Sequence, residues 1–401
     1  MNLRILQIMN RVPWPLKDGG ALGYYQFTKE YAEAGCEVTV AALNTEKHFV
    51  AENNFPFELK SIAKWHTVYC DNRVKPLQAA AALMQNKSYN ISRFDVPEMH
   101  TLLQHLLQTS TFDVIIFESL FTAPYLSTVR QYTNAPCVLR QHNVEYRIWS
   151  TLADVTTHAA KRWYLHQLSK QLEHYEISML NEFDAITTVT TYDAADFKRM
   201  GCAKPIFHAP FGLFANQIQQ TKYQGNSTTI FHLGSMEWQP NVHAMQWFLQ
   251  EVWPTIHQQF PEVIFALGGR GMPESFLQAD IPGVKVYADV PDANTFMSDK
   301  QIMVVPLFSG SGIRVKILEG MALGKCVVTT TLGIQGIEAE HKKHVLVADD
   351  ANQFIEAIQL LMNNTFAQQI GEQAKQLVNE QYHINKIVDS LLKFYKGLRN
   401  N

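Results

Sequence analysis

The sequence predicts an α/β protein made of two successive units, each a parallel sheet flanked by helices. Three observations carry this reading. Short apolar runs alternate with longer helical patterns twice over, the sign of parallel α/β layers. A polar stretch rich in Gln, Asn, Ser and Thr, residues 215–229, separates the two series after Ala209-Pro-Phe-Gly212. Residues 302–330 read as strand, Gly-rich turn, helix and second strand in direct succession.

Composition agrees with a chain of this kind. With 401 residues, 46% of them apolar and 18% charged, it can bury two cores of ordinary size. A net charge of −3 gives no electrostatic footprint for nucleic acid. The five cysteines are odd in number, widely spaced and form no Cys-x-x-Cys, which argues for reduced thiols in a cytoplasmic protein and against structural zinc. No metal-ligand spacing, P-loop or Gly-x-Ser-x-Gly elbow occurs. The first residues, broken by Arg4 and Gln7, are too short for a signal peptide, and no apolar run approaches membrane-spanning length. Contact with a membrane face stays open.

In the first unit the strand candidates are 4–8, 37–42, 113–117, 137–140 and 185–189. Asp18-Gly19-Gly20 follows the first of them and opens a helical pattern ending near Gly35. It reads either as a phosphate-tolerant turn or as plain turn chemistry with Asp18 as N-cap. Past the 137–140 run comes Arg140-Gln-His142-Asn143-Val-Glu145, where His142 is structural or functional on sequence alone. The amphipathic pattern 163–179 places Leu165, Leu168, Leu172, Tyr175 and Met179 on one face, which fits core packing better than a membrane surface.

The second unit's candidates are 230–233, 263–267, 284–287, 302–306, 326–329 and 344–347. Gly234 closes the first, and Pro240 stands where a helix begins. Leu267-Gly-Gly-Arg270-Gly271 ends the second, as a nucleotide contact or a surface turn. Ser309-Gly310-Ser311-Gly312 then leads into a helix expected over 313–323, closed by Gly324. Free amides at a helix start make an anion site, and Arg314 and Lys316, of the wrong sign for the dipole there, suggest a negative ligand that both answer. Glu319, flanked by apolar residues, would be costly without a partner, for which a ribose diol is one natural choice. Two parallel sheets joined by one linker would bind ligand at their strand carboxyl ends, in a cleft.

Glu319-Gly-Met-Ala-Leu-Gly-Lys-Cys-Val-Val resembles the donor-site signature of GT-B glycosyltransferases of family 4, the retaining, metal-independent group, in its subgroup with Gly-x-Arg-x-Lys in the loop. Ser311 stands where the first Glu of the family's Glu-x7-Glu motif falls, and Cys326 replaces the motif's Pro. The Pro-rich 11–20 segment and the His142 loop match as well. The Arg and Lys that many members carry after the first strand of the second unit are missing from 234–241.

The resemblance implies a GT-B α/β fold of two Rossmann-like domains facing a cleft. They would run over 1–210 and 229–380, with a linker at 211–228 and a helix, 381–401, crossing back to the N-terminal domain. It implies transfer of a hexose from a nucleotide diphosphate sugar to a glycan, lipid-linked sugar or other hydroxyl acceptor, in the cytoplasm or at its membrane face. No cofactor or metal would be needed. His142 would position the sugar, and Arg314, Lys316 and the 310–313 amides would stabilise the leaving diphosphate. Glu319 would grip the ribose. Gly19, Gly20, Gly234, Arg270, Val290, Gly310, Ser311, Gly312 and Ile313 would complete the donor contacts. A sugar-nucleotide epimerase and a catalytically silent nucleotide-sugar-binding protein are the other readings.

Overall fold

The computed structural model describes residues 2–16, 19–154, 156–214, 226–309 and 313–399. The chain divides into two compact units, one of Met1–Pro210 with Ile384–Asn401 and one of Phe211–His383. The linker expected at 211–228 lies mostly outside the described residues.

The first unit holds a seven-stranded, all-parallel sheet in the order β3-β2-β1-β4-β5-β6-β7. Its strands are β1 (Arg4–Met9), β2 (Glu37–Thr45), β3 (Lys64–Cys70), β4 (Val114–Glu118), β5 (Cys137–Gln141), β6 (Ala185–Thr188) and β7 (Ile206–His208). The central strands β4 and β5 are buried along their whole length, as expected of a sheet covered on both faces. Two strands go beyond the sequence reading. β3 (Lys-Trp-His-Thr-Val-Tyr-Cys) and β7 are edge strands with mixed, half-exposed residues, so they lack the continuous apolar run that marks the interior strands. The last helix, Ile384–Leu398, packs on the helix Gly19–Glu33, where the Tyr31 and Tyr395 hydroxyls meet at 3.2 Å, both buried. Phe394 stacks on Phe207 of β7.

The second unit holds six parallel strands in the order β10-β9-β8-β11-β12-β13. They are β8 (Asn226–Leu233), β9 (Ile264–Gly269), β10 (Val284–Ala288), β11 (Lys300–Val305), β12 (Cys326–Thr329) and β13 (Leu346–Val347). The helix after β11 spans Val315–Ala322, shorter than the 313–323 expected, so Arg314 is its N-cap and not a residue of its first turn. Gly324 ends it at φ +69°, with the Gly324 amide donating to Met321 and that of Lys325 to Gly320. The helix Asn364–Gln381 crosses this end so closely that a Cβ on Gly371 would lie 2.2 Å from the Gly324 carbonyl oxygen. Among the described residues no helix is long and apolar enough to cross a membrane, and all five cysteines are free thiols.

Candidate functional site

In each sheet the parallel strands deliver their loops to one edge, the carboxyl ends, and the predicted residues gather at these two edges. In the second unit the loops after β8, β9 and β10 are tied by backbone bonds. The Gly234 amide donates to Gly268 (3.2 Å), that of Met236 to Arg270 (2.8 Å) and that of Asp289 to Gly269 (2.8 Å). Glycine is a steric requirement here, because a Cβ on Gly269 would lie 2.0 Å from the Gly234 oxygen. Val290 follows in the loop after β10. Arg270 is exposed and pairs with Glu237 at 3.0 Å, as in a surface turn. Phe308 packs edge-on against Trp247 at 4.7 Å, at the entrance to the Gly-rich loop. Gly310, Ser311 and Gly312 lie outside the described residues, and Ile313 is the first described residue after them.

Arg314 is only 8% exposed, and burial pushes its guanidinium down to about 10, still charged at neutral pH. A cation at the positive end of a helix, withdrawn from water, attracts a nearby anion more strongly than a solvated one. Lys316 lies one turn from Glu319, with Nζ 2.5 Å from Oε2. Within the chain, Lys316 is thus one partner for the Glu319 carboxylate, beside the ribose diol expected from the sequence. Nearby, the Thr295 hydroxyl and amide hold the Asp292 carboxyl below its ordinary range, and the Lys316 charge adds to this. The loop after β10 thus comes close to the same helix start.

In the first unit Gly19 and Gly20 form the opening of the helix Gly19–Glu33 and not a separate turn; a Cβ on Gly19 would meet open space. Asp18, the N-cap candidate, lies outside the described residues. His142 sits just past β5 on a buried polar cluster that sequence reasoning missed. Glu118, the last residue of β4, is fully buried. Its Oε2 accepts from Arg140 Nη1 (3.1 Å) and lies 3.4 Å from His142 Nε2, while Oε1 accepts from Gln7 Nε2 (2.9 Å). The Thr28 hydroxyl lies 2.9 Å from Gln7 Oε1 and 2.7 Å from the Tyr24 carbonyl oxygen, joining the cluster to the helix Gly19–Glu33. Burial opposes the Glu118 charge, yet Arg140, His142 and Gln7 hold its carboxyl below the usual range. Burial also lowers the His142 pKa, so the ring is neutral near pH 7. Tyr24 meets the ring edge-on at 5.0 Å, and the Arg140 guanidinium lies 3.6 Å over the Phe27 ring.

A second buried carboxylate holds the same loop from behind. Glu176, on the helix Ala159–Met179, accepts from the backbone amides of Glu145 (3.1 Å) and Tyr146 (3.2 Å), capping the helix Glu145–Asp154. Gln141 Nε2 donates to it at 3.1 Å. The apolar face predicted for this helix is buried at Leu165, Leu168 and Leu172, but Glu176 shares it. In the sequence they leave only a faint local trace: Glu118 ends the apolar run Val114-Ile-Ile-Phe, and Glu176 follows Leu172 at helical spacing on the apolar face.

Comparison with known proteins places this geometry. Residues 227–364 match the family model of group 1 glycosyl transferases. An uncharacterized 44.6 kDa protein in the cps region of Klebsiella pneumoniae is 20% identical over 97% of this chain and 99% of its own length. Sucrose-phosphate synthase from Thermosynechococcus elongatus superposes with a TM-score of 0.69 at 14% identity, over 98% of this chain and 99% of its own. Anabaena HepE, solved in complex with UDP-glucose, superposes with a TM-score of 0.62 at 12% identity, over 98% and 99%. The chain therefore has the GT-B fold, and its residues 227–364 are similar to the group 1 glycosyl transferases.

Proposed function

We propose that this protein is a retaining, metal-independent glycosyltransferase of the family 4 type. It moves a hexose from a nucleotide diphosphate sugar to a hydroxyl of a glycan or lipid-linked sugar. The observation that carries the reading is the helix start at 314–319. It lies inside the matched segment and sets a buried cationic cap, Arg314, beside the Lys316–Glu319 pair. The binding of UDP-glucose by HepE, a protein of the same fold, supports a nucleotide sugar as donor.

In this reading Lys316 neutralises Glu319 until the ribose diol takes its place, which frees the ammonium for the diphosphate. Arg314, Lys316 and the helix amides stabilise the charge that develops on the leaving diphosphate, work that a divalent cation does in other enzymes. Groups of this kind contribute about 3–4 kcal/mol each to the transition state. Gly19, Gly20, Gly234, Arg270, Val290 and Ile313 serve as further donor contacts. His142, neutral and held by Glu118, contacts the transferred sugar as a hydrogen-bonding group and not as a general base.

A panel of UDP-, GDP- and ADP-hexoses, with and without a glycan acceptor and with EDTA in parallel, tests this. We expect acceptor-dependent transfer that survives EDTA, with the anomeric configuration of the donor kept in the product. Turnover without acceptor would indicate an epimerase, and binding without turnover a silent sugar-nucleotide-binding protein. Glu319→Ala should weaken nucleotide binding by about 10–100-fold, the loss of a charge-assisted hydrogen-bonded contact. Intact binding and turnover in that variant would sink the proposed site.

A further inference from the structure

We propose that the helix Pro76–Met84 and the start of the helix Ala159–Met179 form a docking surface for an anionic lipid bilayer. The inference goes beyond the transfer reaction, and neither it nor its test depends on that reading.

The helix Pro76–Met84, Pro-Leu-Gln-Ala-Ala-Ala-Ala-Leu-Met, is apolar on nearly every side, a composition that belongs in a core. Here only one side is covered. Ala79 and Ala82 pack with Tyr89 and Tyr164, and Gln171 of the helix Ala159–Met179 donates to the Leu83 carbonyl oxygen at 3.4 Å. The opposite side, Leu77, Ala80, Ala81 and Met84, falls on one arc of the helix and is exposed. Leu77 and Met84 are each 87% exposed, and Val74, just before the helix, 64%. Side chains standing so far out line no groove for a partner's side chains, but they can enter the boundary between lipid headgroups and acyl chains. Both ends of the helix are held. The Lys75 amide donates to the Tyr89 hydroxyl at 2.7 Å, and the Lys87 amide donates to the Ala82 carbonyl oxygen at 2.9 Å.

The surrounding charge selects the kind of bilayer. Between Asp71 and Asp95 the chain carries Arg73, Lys75, Lys87 and Arg93 and no acid, and between Asp154 and Glu173 it carries Lys161, Arg162 and Lys170 and no acid. Asp71 and Glu46 answer Arg73, and Asp71 answers Lys75. Lys87, Lys161 and Arg162 are exposed and form no ion pair among the described residues. In the same turn as the last two stands Trp163, 57% exposed, next to the Tyr164 that packs with Ala79 and Ala82. Protruding apolar anchors, an interfacial tryptophan and uncompensated cations together suit an anionic bilayer surface. A second copy of the chain fits less well, because a two-fold pairing sets these cations against one another with no acid in either segment to answer them. Because the helix follows β3, it leaves the sheet at the carboxyl edge that also carries the His142 loop. Attachment here would favour a lipid-linked acceptor over a free glycan, and this consequence alone rests on the proposed transfer.

Co-sedimentation of the full-length protein with vesicles tests the surface, with phosphatidylcholine in one arm and phosphatidylcholine mixed with phosphatidylglycerol in the other. Binding should be confined to the anionic vesicles and should weaken as salt is raised. Leu77→Ser/Met84→Ser should lower the partition coefficient by about tenfold or more. Lys87→Gln/Lys161→Gln should lower it by about 25-fold, about fivefold for each cation. Both double variants alter exposed side chains and should melt as wild type does. Leu360→Ser, which changes an exposed leucine of the second unit, should bind as wild type. No binding to anionic vesicles, equal binding to both kinds, or binding that either double variant leaves unchanged overturns the proposal. Sedimentation velocity without lipid supplies a further check. A dimer that dissociates in Leu77→Ser/Met84→Ser would assign the face to a second copy and overturn the bilayer assignment as well.

Discussion

Arg314 shows how one side chain can be poor for its own helix and good for a ligand. It caps Val315–Ala322 with charge of the wrong sign and is nearly all withdrawn from water. Arg314→Ala should therefore cost little helix stability while lowering kcat by about 100- to 1,000-fold if the proposed diphosphate contact holds. Steady-state kinetics with a thermal melt alongside separates the two effects. Glu145 makes a different residue-scale prediction. Burial, and then the neighbouring Glu176, push its carboxyl up to about 8 from 4.5. Glu176 is also pushed up, to about 7, but two backbone amides favour its charged form, so Glu145 is the member that keeps the proton. A native pKa raised above the unfolded value means stability that is complete below about pH 4.5 and is lost as pH rises towards 8. Melting temperature should fall across that window, and Glu145→Gln should flatten the slope.

The helices and strands carry the close approaches that give the loops their positions. Gly371 lets the helix Asn364–Gln381 touch the end of the helix Val315–Ala322. Gly371→Ala must push backbone against backbone and should destabilise by about 1–3 kcal/mol in chemical denaturation. Gly397→Ala, on a helix face with nothing within 4 Å, should be neutral or slightly stabilising and serves as the control. Legibility follows the same physics. Interior strands such as β4, β5 and β11 were plain in the sequence because both their faces are buried. β3 and β7 were not, because an edge strand needs no apolar run. The helix start at Arg314 could be placed only to within a turn, since a loop rich in Gly and Ser gives no firm N-cap. The Gly-rich loop, Glu319 and His142 could be named because chain-local spacing marks them. Glu118 and Glu176 could not, because what makes them informative is contact across strands and helices far apart in sequence.

At the scale of the molecule, the first unit closes with residues from the far end of the chain. The helix that follows the second unit buries its own Ile387, Leu391 and Tyr395. Truncation after His383 should therefore uncover apolar surface on the helix Gly19–Glu33 and lower the melting transition of the first unit. The transition of the second unit should stay in place, and calorimetry of the two forms checks this. The same arrangement orders events during synthesis. The second unit is an insertion within the first, so it is complete and free to fold while the first still lacks its final helix. Until that helix leaves the ribosome, at about 5–20 residues per second, the site of Tyr31 waits open to water and to chaperones. Translation of the last segment is thus the step that commits the sheet carrying His142 to its finished form.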